Sequence, residues 1–267
     1  MRIVACQLDC AWEDKKANYA KVRSLLDAAS IPAGALVVLP EMFSTGFSMN
    51  VAGIREAEPS ETETFLANTA RHCSAFVLGG LVTQAEDGRG RNEAVVFGPD
   101  GERLCRYGKI HPFSFGGETK HYAGGNEVVT FQWQDFVVAP FVCYDLRFPE
   151  IFRIATQRGA HLLAVIANWP TRRVNHWVAL LQARAIENQA YVVGVNRVGN
   201  DPKLSYPGRS LIVDPQGEVL AEGSAEEQIV SGEVDVARVI SWRNEFPALR
   251  DLRPEFVPGT KTWERFS

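Results

Sequence analysis

Three runs in the second half of the chain are apolar almost without interruption: residues 136–142, 161–167 and 191–198. Strands of this kind offer water no polar face, so they need cover on both sides. The segments between them have helical periodicity. Residues 149–158 carry Pro149 in the first turn, Glu150 beside it and Gly159 as a stop. Residues 174–189 place Val174, Trp177, Val178, Leu181 and Ala185 on one face. Buried strands alternating with amphipathic helices dictate an α/β protein whose sheets carry a helix-covered face.

The first half follows the same alternation. Residues 2–8 read as a strand and 14–29 as a helix, with Tyr19, Val22, Leu25 and Leu26 at helical spacing. Residues 35–39 form a short strand closed by Pro40-Glu41. Residues 60–73 fit a helix opened by Ser60, with Glu63 completing a capping box, and 76–83 return to strand. Two hairpins, 95–104 and 211–220, both place Pro at the start of the turn and Gly at its end. Their likeness admits two readings, a weak internal duplication or independent use of the same turn chemistry. From Ser241 a tail rich in aromatics and Pro has no clear period; it includes Trp242, Phe246, Pro247, Pro254, Phe256 and Trp263. No linker or low-complexity stretch interrupts residues 1–267, so a single domain with a tail from about 241 is expected.

Composition narrows the classes. In 267 residues, 46% are hydrophobic and 22% charged, which supports a buried core and argues against disorder. Lys plus Arg number 28 against 32 Asp plus Glu, without the basic excess that a general nucleic-acid binder carries. The five cysteines, 6, 10, 73, 105 and 143, are odd in number and irregular in spacing, with no CxxC pair. They read as free thiols in a reducing compartment, hence a cytoplasmic address. No apolar run is long enough to span a bilayer, so no membrane partner is expected. The opening stretch through Cys6 faintly resembles a lipoprotein signal, but its apolar part is too short and reads as a first strand.

Phosphate-binding glycine loops, a GxSxG elbow and HExxH are all absent. Histidines 72, 111, 121, 161 and 176 show no metal-ligand spacing with the cysteines, and His161 and His176 read as structural. Cys143 stands apart. It ends an apolar strand and precedes the helix at Pro149, where free backbone N–H groups lower a thiol pKa. An inert buried thiol is the alternative. Glu41 lies just past a strand end, and Lys109 just past the second strand of a hairpin. Alone, each reads as an ordinary solvated charge. If the strands wind in parallel, however, their ends gather at one rim, where α/β sites form.

Leu39-Pro40-Glu41, Tyr107-Gly108-Lys109-Ile110-His111-Pro112 and Cys143-Tyr144-Asp145-Leu146-Arg147-Phe148-Pro149-Glu150 together resemble the nitrilase superfamily of carbon–nitrogen hydrolases. The resemblance covers essentially the whole chain, with the three segments in the family's order. It implies a four-layer α-β-β-α sandwich, paired as a homodimer. It also implies Glu41 as general base, Lys109 as catalytic lysine and Cys143 as nucleophile, with Glu118 as a second glutamate in a loop of variable length. The chemistry fits these residue types. A poor electrophile such as an amide needs a strong nucleophile and a stabilised oxyanion. Lys109 and the Tyr144 backbone N–H would hold the oxyanion, Glu41 would move the protons, and Cys143 would carry the acyl group as a thioester. Neither a metal nor an organic cofactor is implied.

Two further stretches, residues 40–49 and Ala167-Asn168-Trp169-Pro170 with His176-Trp177 and 183–189, are similar to bacterial omega-amidases. That branch implies small amide substrates such as 2-oxoglutaramate and 2-oxosuccinamate. Phe43, Phe113 and Trp169 are candidates for the pocket wall. Arg147, Arg172 and Arg173 are candidates for the cation facing the substrate carboxylate, with a structural pair to a nearby carboxylate the favoured role for Arg147. Rival readings are an amidase acting on deaminated glutathione or a carbamoyl amine, a catalytically silent scaffold and a thiol acyltransferase.

Overall fold

In the computed structural model, residues 1–256 are described. The strands are β1 (Arg2–Gln7), β2 (Leu36–Val38), β3 (Phe76–Gln84), β4 (Gly90–Phe97), β5 (Arg103–Gly108), β6 (Tyr122–Ala123), β7 (Phe131–Trp133), β8 (Phe136–Val142), β9 (Leu162–Ala167), β10 (Tyr191–Asn196), β11 (Val198–Asn200), β12 (Ser205–Pro207), β13 (Leu211–Val213), β14 (Val219–Glu222) and β15 (Gln228–Glu233). The α-helices are α1 (Lys15–Asp27), α2 (Val51–Ile54), α3 (Glu61–Cys73), α4 (Pro149–Gln157), α5 (Val174–Asn188) and α6 (Val236–Glu245). None of them is long and apolar enough to cross a membrane.

Two mixed sheets pack face to face, with helices outside each. The first runs β15-β1-β2-β3-β4-β5, with β6 beside β4; the second runs β14-β13-β10-β9-β8-β7. Alternation along the strands sorts the layers. In β1, Ile3 and Ala5 face the second sheet, whereas Val4 and Cys6 join Tyr19 and Val22 of α1 and Phe65 and Leu66 of α3. On the far side, Trp177, Leu181 and Ala185 of α5 and Phe152 of α4 close the second sheet. Gly194 of β10 permits that close approach, since a Cβ there would lie 2.4 Å from Leu181. Fully burying a side chain such as Phe152, stacked 3.9 Å from Phe141, contributes roughly 1.5–3 kcal/mol.

The sheets repeat one plan. Strands β1, β2 and β3 are parallel and are followed by the antiparallel pair β4 and β5. Strands β8, β9 and β10 are likewise parallel and are followed by the antiparallel pair β13 and β14. The two hairpins with similar turns therefore hold equivalent places. The C-terminal ends of β2, β5, β8 and β9 gather at one rim.

Some elements depart from the sequence expectation. Residues 236–245 are helical, so helix runs through the expected tail boundary at 241. An arginine holds this helix more than an apolar stripe does, which explains its weak period. Arg243 donates to the carbonyls of Ala160, Asn188 and Gln189, while Val239 is buried. Trp263 lies outside the described residues. At α3, Ser60 Oγ accepts from Glu63 N at 3.1 Å, but the return arm of the capping box is missing. The Glu63 carboxylate turns instead to Arg103 and Arg106.

Candidate active site

Glu41, Lys109 and Glu118 meet in the interior at the gathered strand ends, all buried. Glu41 follows β2 closely because β3 passes beside it without a side chain: a Cβ on Gly80 would lie 2.7 Å from Glu41 Cα. Lys109 extends β5 and donates its Nζ to Glu41 Oε1 at 2.9 Å and to Glu118 Oε2 at 2.8 Å. Glu118 starts a 3₁₀ turn and also accepts the Phe113 N–H at 2.5 Å. Asn92 Nδ2 reaches both carboxylates, at 2.7 Å to Glu41 Oε1 and 2.9 Å to Glu118 Oε1. The other oxygen of Glu41 accepts the Asn168 N–H at 2.8 Å.

Burial opposes the charge on Glu41, but Lys109 and the Asn92 and Asn168 donors outweigh it and hold the carboxyl below its usual range. Burial likewise opposes the charge on Lys109, and Glu118 and Glu41 override it, keeping the ammonium protonated well above its usual range.

Cys143 caps β8 with φ of 49°, a left-handed conformation uncommon for a side-chain-bearing residue. It opens the 3₁₀ turn Cys143–Arg147. Buried Asp145 braces that turn, accepting from Tyr107 Oη at 2.8 Å, the His111 N–H at 2.9 Å and the Val142 N–H at 3.2 Å. The Tyr144 N–H lies in the first turn, where a helix supplies no acceptor of its own. The thiol departs from expectation, because its pKa is raised rather than lowered. Desolvation and the Glu41 charge push it well above the ordinary thiol value, and Lys109 offsets them only in part. At rest the Cys143 thiol is therefore neutral, beside an ionised Glu41 carboxylate.

Above the thiol is a cleft with about 390 Å³ of atom-free space, open to solvent at its mouth. Phe47, Phe113, Tyr144 and Trp169 are among its walls, so Phe113 and Trp169 lie where expected. Phe43 does not line it: this side chain is fully buried in the layer between sheet and helices, against Tyr19 and Phe65. Phe47, four residues on, lies in the wall, with Lys109 Nζ 5.2 Å from its ring centre.

Of the two candidate arginines, Arg173 lines the cleft, its guanidinium 5.2 Å from the Phe113 ring. Arg172 lies outside it, exposed, over Phe115. Arg147 differs from expectation as well. It has no carboxylate partner among the described residues; it lies 4.9 Å from the Trp169 ring centre and lines the cleft. His176 Nδ1 lies 3.2 Å from its Nη2, so His176 serves as the acceptor there. Burial and the charges of Arg172 and Arg147 lower the Arg173 pKa, the mark of cations crowded together at one cleft. Sequence reasoning missed Asn92, Asp145 and the role of Asn168, and it favoured for Arg147 a carboxylate pair over the place at the cleft. Only the last three sit within segments that had drawn attention.

A buried Glu–Lys–Glu cluster beside a strand-end thiol, at the rim of a double α/β sandwich, is an arrangement suited to amide hydrolysis. The carbon-nitrogen hydrolase model matches residues 2–244, and the chain belongs to that family. It is 38% identical to an omega-amidase YafV of Yersinia enterocolitica, over 94% of this chain and 96% of that one. It is 33% identical to a 2-oxoglutaramate amidase of Bacillus subtilis, over 94% and 98%. Among solved structures, XC1258 from Xanthomonas campestris, a CN-hydrolase superfamily protein with an arsenic adduct in its active site, superposes with a TM-score of 0.89. That protein is 34% identical, over 95% of this chain and 97% of its own.

Proposed function

We propose that this chain is an omega-amidase, hydrolysing the terminal amide of small 2-oxo acids such as 2-oxoglutaramate and 2-oxosuccinamate. One observation carries the reading. The thiol and its buried acid–base cluster lie at a narrow aromatic cleft whose remaining cations, Arg147 and Arg173, lack carboxylate partners among the described residues. A substrate with an amide at one end and a carboxylate at the other fits both features. Its uncharged keto group also avoids the cost of enclosing an unpaired ammonium. The omega-amidase and 2-oxoglutaramate amidase relatives support the same choice.

The mechanism follows from the charges. Glu41 is a weak base toward a resting thiol, so its proton uptake accompanies attack. As Sγ bonds to the amide carbon, charge moves to the carbonyl oxygen, where Lys109 and the Tyr144 N–H receive it. Glu41 returns the proton to the amide nitrogen, the C–N bond breaks, ammonia leaves and a thioester remains on Cys143. Water then gives a proton to Glu41 as its oxygen attacks the thioester. The C–S bond breaks, and Glu41 reprotonates the thiol as the acid departs. Glu118 holds Lys109 on its oxyanion side.

The test is ammonia release from 2-oxoglutaramate, 2-oxosuccinamate, glutamine, a simple aliphatic amide and a nitrile, measured side by side. The 2-oxo amides should turn over fastest. Faster turnover of the nitrile, or none of either 2-oxo amide, overturns the proposal. Hydroxylamine should intercept the thioester as a hydroxamate. A cytoplasmic homodimer completes the proposal; the five unpaired cysteines fit a reducing setting, and exposed apolar side chains near the end of α5 fit a pairing surface.

A further inference from the structure

We propose that Asn92 is a positioning residue for the hydrolysis, a single strand residue that sets the base, the lysine and the second glutamate in one frame. The inference rests on the catalytic reading above. Asn92 contacts all three groups: its carbonyl accepts the Lys109 N–H at 2.9 Å, and its Nδ2 donates to Glu41 and Glu118 at 2.7 and 2.9 Å. It is buried as the third residue of β4, the strand to which β5 and therefore Lys109 is paired. The amide orientation is set by chemistry, since a reversed amide would aim an oxygen at two carboxylates.

The electrostatics explain why a neutral double donor belongs there. Two buried carboxylates share one ammonium, an arrangement one negative charge in excess. Without a bridging donor, the like charges would drive the two carboxylates apart, and Lys109 would follow one of them. Asn92 supplies one hydrogen to each carboxylate without adding charge of its own. Serine has a single hydroxyl hydrogen and aspartate brings a third negative charge, so neither reproduces this bridge. The remaining Asn92 Oδ1 has no partner among the described residues, so the side chain is kept in an incompletely satisfied position while it holds the frame.

The experiment compares wild type, Asn92→Leu, Asn92→Asp and Cys143→Ala by ammonia release from 2-oxoglutaramate across pH, with melting temperature recorded for each. In Asn92→Leu, kcat should fall about 100-fold, the cost of an ångström-scale misplacement, while KM changes less than about threefold. The acid limb of kcat/KM should also move up, because the Glu41 carboxylate loses a donor to its charged form. Asn92→Asp should be equally impaired at neutral pH and should recover only part of its activity as pH falls, since the introduced carboxyl, once protonated, donates one hydrogen where Asn92 supplies two. Should Asn92→Leu fold poorly, the near-isosteric Asn92→Asp decides alone. A kcat within about threefold of wild type with an unmoved acid limb overturns the proposal. An active Cys143→Ala variant instead overturns the catalytic reading beneath it.

Discussion

At the scale of single residues, the site separates two charge problems. Lys109 is committed to Glu41 and Glu118, whereas Arg147 and Arg173 have no carboxylate partner among the described residues. Removing the first cation should therefore affect the chemistry, and removing a second should affect substrate capture. Lys109→Met and Glu41→Gln should each lower kcat by about 100- to 1,000-fold, the usual cost of losing an oxyanion donor or a comparable group. A change under about threefold in steady-state rates would remove the assigned role. Arg147→Gln or Arg173→Gln should raise KM for 2-oxoglutaramate with little effect on a neutral aliphatic amide. Equal losses on both substrates would speak against carboxylate capture. The thiol has its own signature. Since burial and Glu41 raise its pKa, modification of Cys143 by a neutral non-amide reagent should keep accelerating above pH 9, the ordinary thiol value. A plateau near neutrality would mean a preformed thiolate. Glu41, Lys109 and Cys143 were legible in the sequence because each follows a strand in a fixed local motif. Asn92 was not, since it stands between Arg91 and Glu93 in the polar first half of β4 and reads like any solvated side chain there. Phe43 and Phe47 lie in one motif, and nothing in their spacing tells which faces the cleft.

At the scale of elements, the 3₁₀ turn after β8 carries the most consequence for its size. It holds Cys143 at a positive φ, and Asp145 ties it to β5 and to the loop that follows Lys109. Asp145→Ala would leave the Tyr107 hydroxyl and two backbone N–H groups without their acceptor. The variant should lose roughly 3 kcal/mol or more in denaturant unfolding, about 1 kcal/mol or more for each donor left without an acceptor, and most of its activity. A loss below about 1 kcal/mol would mean that other groups hold the turn. The long elements were readable from the sequence because burial leaves them apolar at the period of their backbone. The short ones were not. β15 pairs with β1 across six residues, yet its sequence Gln-Ile-Val-Ser-Gly-Glu carries little apolar signal because it is an edge strand with a wet face. The expected thiol shift failed for a related reason. Proximity to a helix start is visible in sequence, whereas the depth of burial and two neighbouring carboxylates come from tertiary structure.

At the scale of the whole molecule, the region where α6 returns to the second sheet bears on both acid stability and the proposed pairing. His161, at the entry to β9, accepts the Val137 N–H at 3.2 Å. Burial and the charge of Arg243 lower its pKa from 6.5 to about 4. The unfolded chain therefore binds more protons than the fold between those values, and His161 contributes stability at pH 6.5 that is lost as pH falls toward 4. His161→Gln should flatten the acid side of the melting curve, and parallel slopes for variant and wild type would refute this.

Assembly follows from what the same region exposes. Ile186 on α5 is 55% exposed, Ile240 on α6 is 49% and Phe246 is 56%. They belong to one neighbourhood: Gln189 bonds the Phe246 carbonyl at 2.7 Å, and Arg238 of α6 meets Asp214 in the turn whose Gly217 abuts Ile186. Scattered apolar side chains need no explanation, but three large ones on adjoining elements suit a covered surface. A patch that pairs with its own copy would close as a two-fold dimer without leaving a second face to propagate. The chain should therefore sediment at twice its monomer mass at micromolar concentration. Ile186→Glu should shift it to monomer while leaving the thiol cleft, whose walls include none of these residues, intact. A wild-type monomer at that concentration, or an Ile186→Glu variant that remains dimeric, would place the pairing surface elsewhere or remove it.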